Sequence, residues 1–317
     1  MASKGRDRGQ PPRVLIITGD GLNCERETAW AFTLAGAAPD CIHISDILAG
    51  RTRLERYHAL AFIGGFSNGD HLGAGTVQAA RFRHCLRTDL ERFVEARKPI
   101  IGICNGFQTL VKMGILPGSP QERQPPARSG PSAAAAAGGG GRRRGVWTRT
   151  ATIMHNDSGR FEDRWVNLVV DPDSPCIWTR GLTRLFVPVR HGEGKFYMRN
   201  ERLLDELEQG RQVVARYATP EGEPTARYPE NPNGSVRAIA AVCDPSGLIF
   251  GLMPHPESYS SPYNHPAWTR RTAMGRALPR RGEGLEIFRS CVRYLVEASE
   301  GRREPSGGGG PMDGDER

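Results

Sequence analysis

The sequence predicts an α/β fold: an open, mainly parallel sheet flanked by helices, with a smaller antiparallel addition. Three observations predict it. Near-continuous apolar runs at 13–18 (Arg-Val-Leu-Ile-Ile-Thr), 59–63 and 99–103 read as strands buried on both faces. Stretches with helical spacing of apolar residues separate them, as βαβ units require. Each run ends abruptly in turn residues, at Gly19, at Gly64-Gly65 and at Gly102-Ile103-Cys104-Asn105-Gly106. In such a sheet the functional edge is the one formed by the carboxyl ends of the strands.

Taken in order, residues 1–12 are polar and rich in Pro and Gly, which predicts a disordered arm. The first strand follows at 13–18, and Asn23 is placed to cap a helix with Glu25 and Glu27 in its first turn. A second strand is expected at 41–44 and a third at 59–63. A helix around 86–96 then leads into the strand before Cys104. Leu110, Val111, Met113 and Leu116 mark the helix after it. Residues 118–149 include runs of Ala, Gly and Arg with almost nothing apolar to bury, so they read as a low-complexity insertion into a single domain spanning 13–300. Such an insertion costs little closure entropy. Strand patterns resume at 165–170 and 185–189. Segments 213–217 and 236–243 read as an antiparallel pair around the loop 219–234, and 259–284 as a long surface loop. Leu285, Phe288, Val292 and Leu295 form an apolar stripe on a terminal helix over 284–299, and 301–317 read as a disordered tail.

Composition narrows the function classes. The 317 residues carry 43 Lys and Arg against 35 Asp and Glu, a formal charge of +8. Much of the excess sits in Arg142-Arg143-Arg144 and the arm from Lys4 to Arg13, with no interleaved aromatic and basic stripe, so no nucleic acid is expected as partner. Seven cysteines without a C-x-x-C pair indicate neither a disulfide framework nor a zinc site. They suit a reducing compartment, and with no targeting signal or spanning apolar run the expectation is a cytoplasmic protein without membrane partners. His191-Gly192-Glu193-Gly194 invites a metal reading, but no third ligand has suitable spacing, so no metal is expected.

Chemistry centres on Cys104. A strand, a tight turn and a helix place this thiol in the kind of corner built by G-x-S-x-G nucleophile elbows, with Gly102 and Gly106 removing side chains that would crowd it. The helix N-terminus favours a thiolate. A small buried core cysteine would fit the same run. A second stretch, Leu248 to Glu257, runs an apolar strand into Pro254-His255-Pro256-Glu257. Two residues apart in extended backbone, His255 and Glu257 point to the same side. The carboxylate can hold one ring nitrogen while the other faces a thiol, the arrangement of nucleophile, base and orienter. Gly64-Gly65 is either a tight turn or a place where backbone N–H groups approach a reacting carbonyl.

Together, Gly102-Ile103-Cys104-Asn105-Gly106-Phe107-Gln108 and Met253-Pro254-His255-Pro256-Glu257 resemble the class I, triad-type glutamine amidotransferases. Gly64 to Leu72, Gly19 to Glu25 and His191 to Tyr197 are similar to the glutaminase subunits of phosphoribosylformylglycinamidine synthases, and Asn233-Gly234-Ser235 and Gly159 to Val166 fit the same family. The resemblance implies a flavodoxin-like sheet and a catalytic triad of Cys104, His255 and Glu257. It implies an oxyanion hole from amides near Gly65 or Phe66 and from Asn105, with Gln108, Asn156 and Phe161 as glutamine contacts. The chain itself would need no cofactor: it has no Walker-type loop, and the family places ATP and Mg on a separate synthetase subunit, accompanied by a small accessory subunit. An amidotransferase for another acceptor, or a non-catalytic glutamine-binding scaffold, would share parts of the pattern.

Overall fold

The structure is a computed structural model that describes residues 10–118 and 148–300. Nearly all of the arm, the insertion and the tail expected at 1–12, 118–149 and 301–317 lie outside the described residues.

The first half of the chain alternates as its pattern requires: β1 (Arg13–Thr18), α1 (Glu25–Ala35), β2 (Ala38–His43), α2 (Ile44–Leu48), β3 (Ala59–Phe62), α3 (Thr76–Cys85), α4 (Arg87–Glu95), β4 (Ile100–Ile103) and α5 (Asn105–Met113). The second half holds β5 (Ala151–His155), β6 (Glu162–Val170), β7 (Arg184–His191), β8 (Glu193–Met198), α6 (Glu201–Gln209), β9 (Val213–Ala218), β10 (Ile239–Cys243), β11 (Ile249–Leu252), α7 (Trp268–Ala273) and α8 (Leu285–Glu300). Nine strands form one sheet in the order β2-β1-β3-β4-β11-β10-β9-β6-β7. The five from β2 to β11 are parallel, and their order is that of a flavodoxin-like sheet. The other four extend the same sheet antiparallel, while β5 and β8 pair separately.

The apolar residues of β1, β3 and β4 are fully buried because helices cover both faces, α1 packing against α8 and α3 against α5. Burying a Leu, Ile or Phe side chain contributes roughly 1.5–3 kcal/mol, so this layer holds the carboxyl edge rigid.

Several sequence expectations are corrected. Asn23 does not cap α1: Cys24 occupies that position without a side-chain cap bond. The Asn23 N–H is instead drawn to Gly64 O at 3.3 Å, beside a β-bridge between Leu22 and Gly65. The second strand starts earlier than 41, because Ala38 to His43 pair with Arg13 to Thr18 along their whole length. An edge strand tolerates Pro39 within it. Residues 259–284 are not simply a surface loop. Tyr259 and His265 are buried, packed edge-on and tilted against Trp165.

Candidate active site

Cys104 stands between β4 and α5 with φ 50° and ψ −108°, a backbone conformation rare for a residue with a side chain. Such a conformation costs about 1–3 kcal/mol and persists only where the surroundings impose it. Here they do. A Cβ at Gly102 would lie 2.5 Å from Leu110 Cδ1, and one at Gly106 would lie 2.0 Å from the carbonyl oxygen of Phe62 in β3. The elbow is therefore pressed against the neighbouring strand, and Asn105 opens α5 with an N–H that the helix leaves unpaired.

β11 lies beside β4 in parallel register, Leu252 opposite Ile103, so the segment after β11 reaches the same edge as Cys104. His255 and Glu257 are both buried there. His255 Nδ1 is 2.6 Å from Glu257 Oε1, while Nε2 has no hydrogen-bond partner among the described residues. Burial lowers the affinity of this ring for a proton, but Glu257 and the adjacent Cys104 more than offset it, and its pKa stands well above the ordinary histidine value. Gly64, at the end of β3, makes room for the ring: a Cβ there would sit 2.7 Å from His255 Cε1.

Cys104 opens on a cavity of about 200 Å³ lined by Gly65, Phe66, Asp70, Gln108, Phe161, Arg190 and Glu193, among others. This is smaller than the roughly 300–1,000 Å³ typical of drug-sized ligands and suits a small molecule. A cavity of about 820 Å³ beside Phe186, His265 and Arg270 shares no residue with it.

The expected substrate contacts divide. Gly65, with φ 131°, has no space for a side chain, since a Cβ would lie 2.7 Å from Gly21 O. Its neighbour Phe66 already donates its N–H to Gly21 O at 2.8 Å, so of those two amides Gly65 is the one left for an oxyanion. Gln108 lines the cavity and donates from Nε2 to Glu193 O, while Asn105 Nδ2 donates to both Asp70 Oδ1 and Gln108 Oε1. Phe161 lines the cavity near Phe66, ring centroids 6.2 Å apart. Asn156 does not: it is buried, and its Nδ2 donates to Arg160 O and His191 O. Its polar atoms hold a loop rather than facing the cavity.

That loop also explains His191. Asn156 Nδ2 is committed to carbonyls, so Asn156 Oδ1 accepts from His191 Nδ1 at 3.1 Å. Asn233 Oδ1 accepts from Ser235, so Asn233 Nδ2 donates toward His191 Nε2 at 3.4 Å. Both ring nitrogens are thus matched to a neutral imidazole. Burial, reinforced by the positive charge of His255, pushes its pKa down to about 3. Below the ordinary value of 6.5 the unfolded chain takes a proton here that the folded chain refuses, so stability falls as pH drops from 6.5 toward 3. The slope from this one group is about 1.4 kcal/mol per pH unit. Denaturant unfolding between pH 7 and pH 4.5 is expected to show an acid limb flatter by one proton in His191→Gln; an unchanged limb would refute the assignment.

Three cavity residues carry charges that sequence reasoning left without a role. Asp70 and Glu193 line the cavity with carboxylates, Glu193 accepting from the Ala74 N–H at 3.2 Å, whereas Arg190 brings its backbone oxygen to 3.6 Å from Cys104 Sγ while its guanidinium reaches Ser258 and Asp163. All three fall in or beside segments whose motifs were visible, Gly64 to Leu72 and His191 to Tyr197. Only the fold shows which of those residues line the cavity with Cys104. Cys24 was missed as well, and its Sγ lies 3.9 Å from His255 Nδ1.

Comparisons with known proteins identify the family. The CobB/CobQ-like glutamine amidotransferase domain family matches residues 11–295. Phosphoribosylformylglycinamidine synthase subunit PurQ of Dehalococcoides mccartyi is 40% identical over 282 residues, covering 89% of this chain and 97% of that protein. Its counterpart from Methanococcus maripaludis is 37% identical over 292 residues, covering 90% and 97%. Among solved structures, a chain in the structure of PurLQS from Thermotoga maritima aligns with a TM-score of 0.62 at 26% identity, covering 90% of this chain and 100% of that one. With a matching family across most of its length and relatives at this identity over nearly their whole length, the chain belongs to the glutamine amidotransferases, among the PurQ subunits of phosphoribosylformylglycinamidine synthase.

Proposed function

We propose that this chain hydrolyses L-glutamine through a Cys104 thioester and supplies ammonia to a separate ATP-dependent synthetase subunit in purine biosynthesis. The observation that carries the chemistry is the His255 ring, joined to Glu257 through Nδ1 and with buried Nε2 unpaired among the described residues, beside a thiol on a strained elbow. Cys104 Sγ attacks the carboxamide carbon, and the oxyanion forms against the amides of Gly65 and Asn105. Glu257 and Cys104 raise the proton affinity of the ring, which favours the protonated form that gives its proton to the departing nitrogen. Ammonia leaves, and the γ-glutamyl thioester remains on Cys104. The now neutral ring takes a proton from water, which attacks the thioester and releases glutamate. Glu257 keeps the ring in one orientation throughout.

The cavity walls suit the amino end of a free amino acid: Asp70 and Glu193 offer acidic groups for an ammonium. The partner reading rests on the family and on similarity to a chain of PurLQS, and it includes the synthetase subunit and a small accessory subunit. ATP and Mg belong on that partner, and no cofactor is assigned to this chain. The test is reconstitution with the synthetase partner, ATP, Mg and the phosphoribosylated formylglycinamide acceptor. Formylglycinamidine product made from glutamine only when this chain is present is the expected result. A partner that uses ammonia but never glutamine, however much of this chain is added, would overturn the proposal.

A further inference from the structure

The catalytic reading uses His255 and Glu257 but leaves the third group of their cluster unexplained. Cys24 Sγ sits 3.9 Å from His255 Nδ1, the same nitrogen that is 2.6 Å from Glu257 Oε1. Sulfur, nitrogen and carboxylate oxygen all lie within 4.8 Å of one another. Glu257 Oε2 is buried with no hydrogen-bond partner among the described residues, an acceptor that is costly to leave unmade. Gly64 permits the crowding, since a Cβ there would lie 3.1 Å from Cys24 Sγ as well as against the ring.

We propose that Cys24, His255 and Glu257 form an inhibitory site for a thiophilic divalent cation, with zinc as the best match. One thiolate, one imidazole and one carboxylate, with a fourth position open, is a zinc donor set. Calcium and magnesium select all-oxygen sites instead. Tetrahedral zinc, with bonds of about 2.0–2.3 Å, holds its ligand atoms about 3.3–3.6 Å apart. The sulfur and ring would close by a few tenths of an ångström, and the short contact between His255 and Glu257 would open to admit the ion.

The proton bookkeeping explains the inhibition. Zinc takes Nδ1, so the neutral ring carries its one proton on Nε2, and the Cys24 thiol releases its proton to solvent. Held at Nδ1 by the metal, the ring can neither carry the second proton that the departing nitrogen receives nor accept one from water at Nε2, so glutamine hydrolysis stops until the ion is removed. The inhibitory half rests on the catalytic role given to His255. Metal binding is read separately and does not depend on it.

The test uses the full purified chain titrated with zinc chloride against a chromophoric chelator, and with cobalt(II) for its thiolate charge-transfer band. One zinc per chain, a cobalt–thiolate band that survives in Cys104→Ala and is lost in Cys24→Ser, and hydrolysis restored by EDTA are expected. Zinc affinity should fall at least tenfold in Cys24→Ser, in keeping with loss of a ligand. Thiol alkylation followed by mass mapping needs no variant: zinc should shield Cys24 while exposed Cys41 and Cys85 stay reactive. A cobalt–thiolate band that persists in Cys24→Ser, or Cys24 alkylated equally with and without zinc, would overturn the site. Full hydrolysis with zinc bound there would overturn the inhibition.

Discussion

Cys104→Ala is expected to lower glutamine hydrolysis by a factor on the order of 10⁵, the scale of losing a nucleophile that works as one unit with its base. The substitution removes one sulfur held by a long hydrogen bond, 3.6 Å to Arg190 O, so the fold should remain and the partner should still bind. Product formation by the reconstituted complex from ammonium salts should therefore continue, while formation from glutamine stops. This split separates the enzyme from a non-catalytic glutamine-binding subunit, which would lose neither activity. It also separates a chemical defect from a structural one, since a misfolded variant would fail to support the complex with either nitrogen source. Glutamine-dependent turnover persisting at the parent rate in Cys104→Ala would remove the nucleophile.

What could be seen without coordinates was set by sequence distance. The elbow around Cys104 and the pair His255 and Glu257 are each local, and turn chemistry or strand alternation places their side chains directly. Cys24 reaches the ring across 231 positions, through the bridge between Leu22 and Gly65. No local periodicity encodes such a pairing. Arg190 and Glu193 flank the junction of β7 and β8, and that both line the cavity depends on a sheet register that the chain pattern does not state. Asn156 illustrates the opposite error. An amide side chain suits recognition of glutamine, but buried polar atoms must be satisfied, and this one is occupied by Arg160, His191 and the loop they close. The antiparallel strands were legible as a pair, yet not as a continuation of the main sheet. That follows only from β11 standing between β4 and β10.

Gly106→Ala sets two physical effects against each other, and their magnitudes decide the sign. Gly106 lies inside α5, where alanine is favoured over glycine by about 1 kcal/mol. Helix propensity alone would make the variant more stable. Packing opposes it, because the added Cβ would sit 2.0 Å from Phe62 O and 2.4 Å from its carbonyl carbon, both backbone atoms of a fully buried central strand. Neither can rotate away as a flexible side chain would. Either α5 lifts from β3 or the strand distorts, and each movement opens a close-packed interior and displaces Cys104 from its corner. A net loss of about 4 kcal/mol or more is expected, the exceptional range for one substitution. Gly36→Ala provides the comparison: its φ is also positive, at 96°, but nothing lies within 4 Å of the new atom. It should cost only the backbone strain of about 1–2 kcal/mol. Denaturant midpoints of the two variants measured side by side decide the matter. If Gly106→Ala matched or exceeded the parent in stability, the close approach of helix and strand that shapes the nucleophile elbow would be wrong.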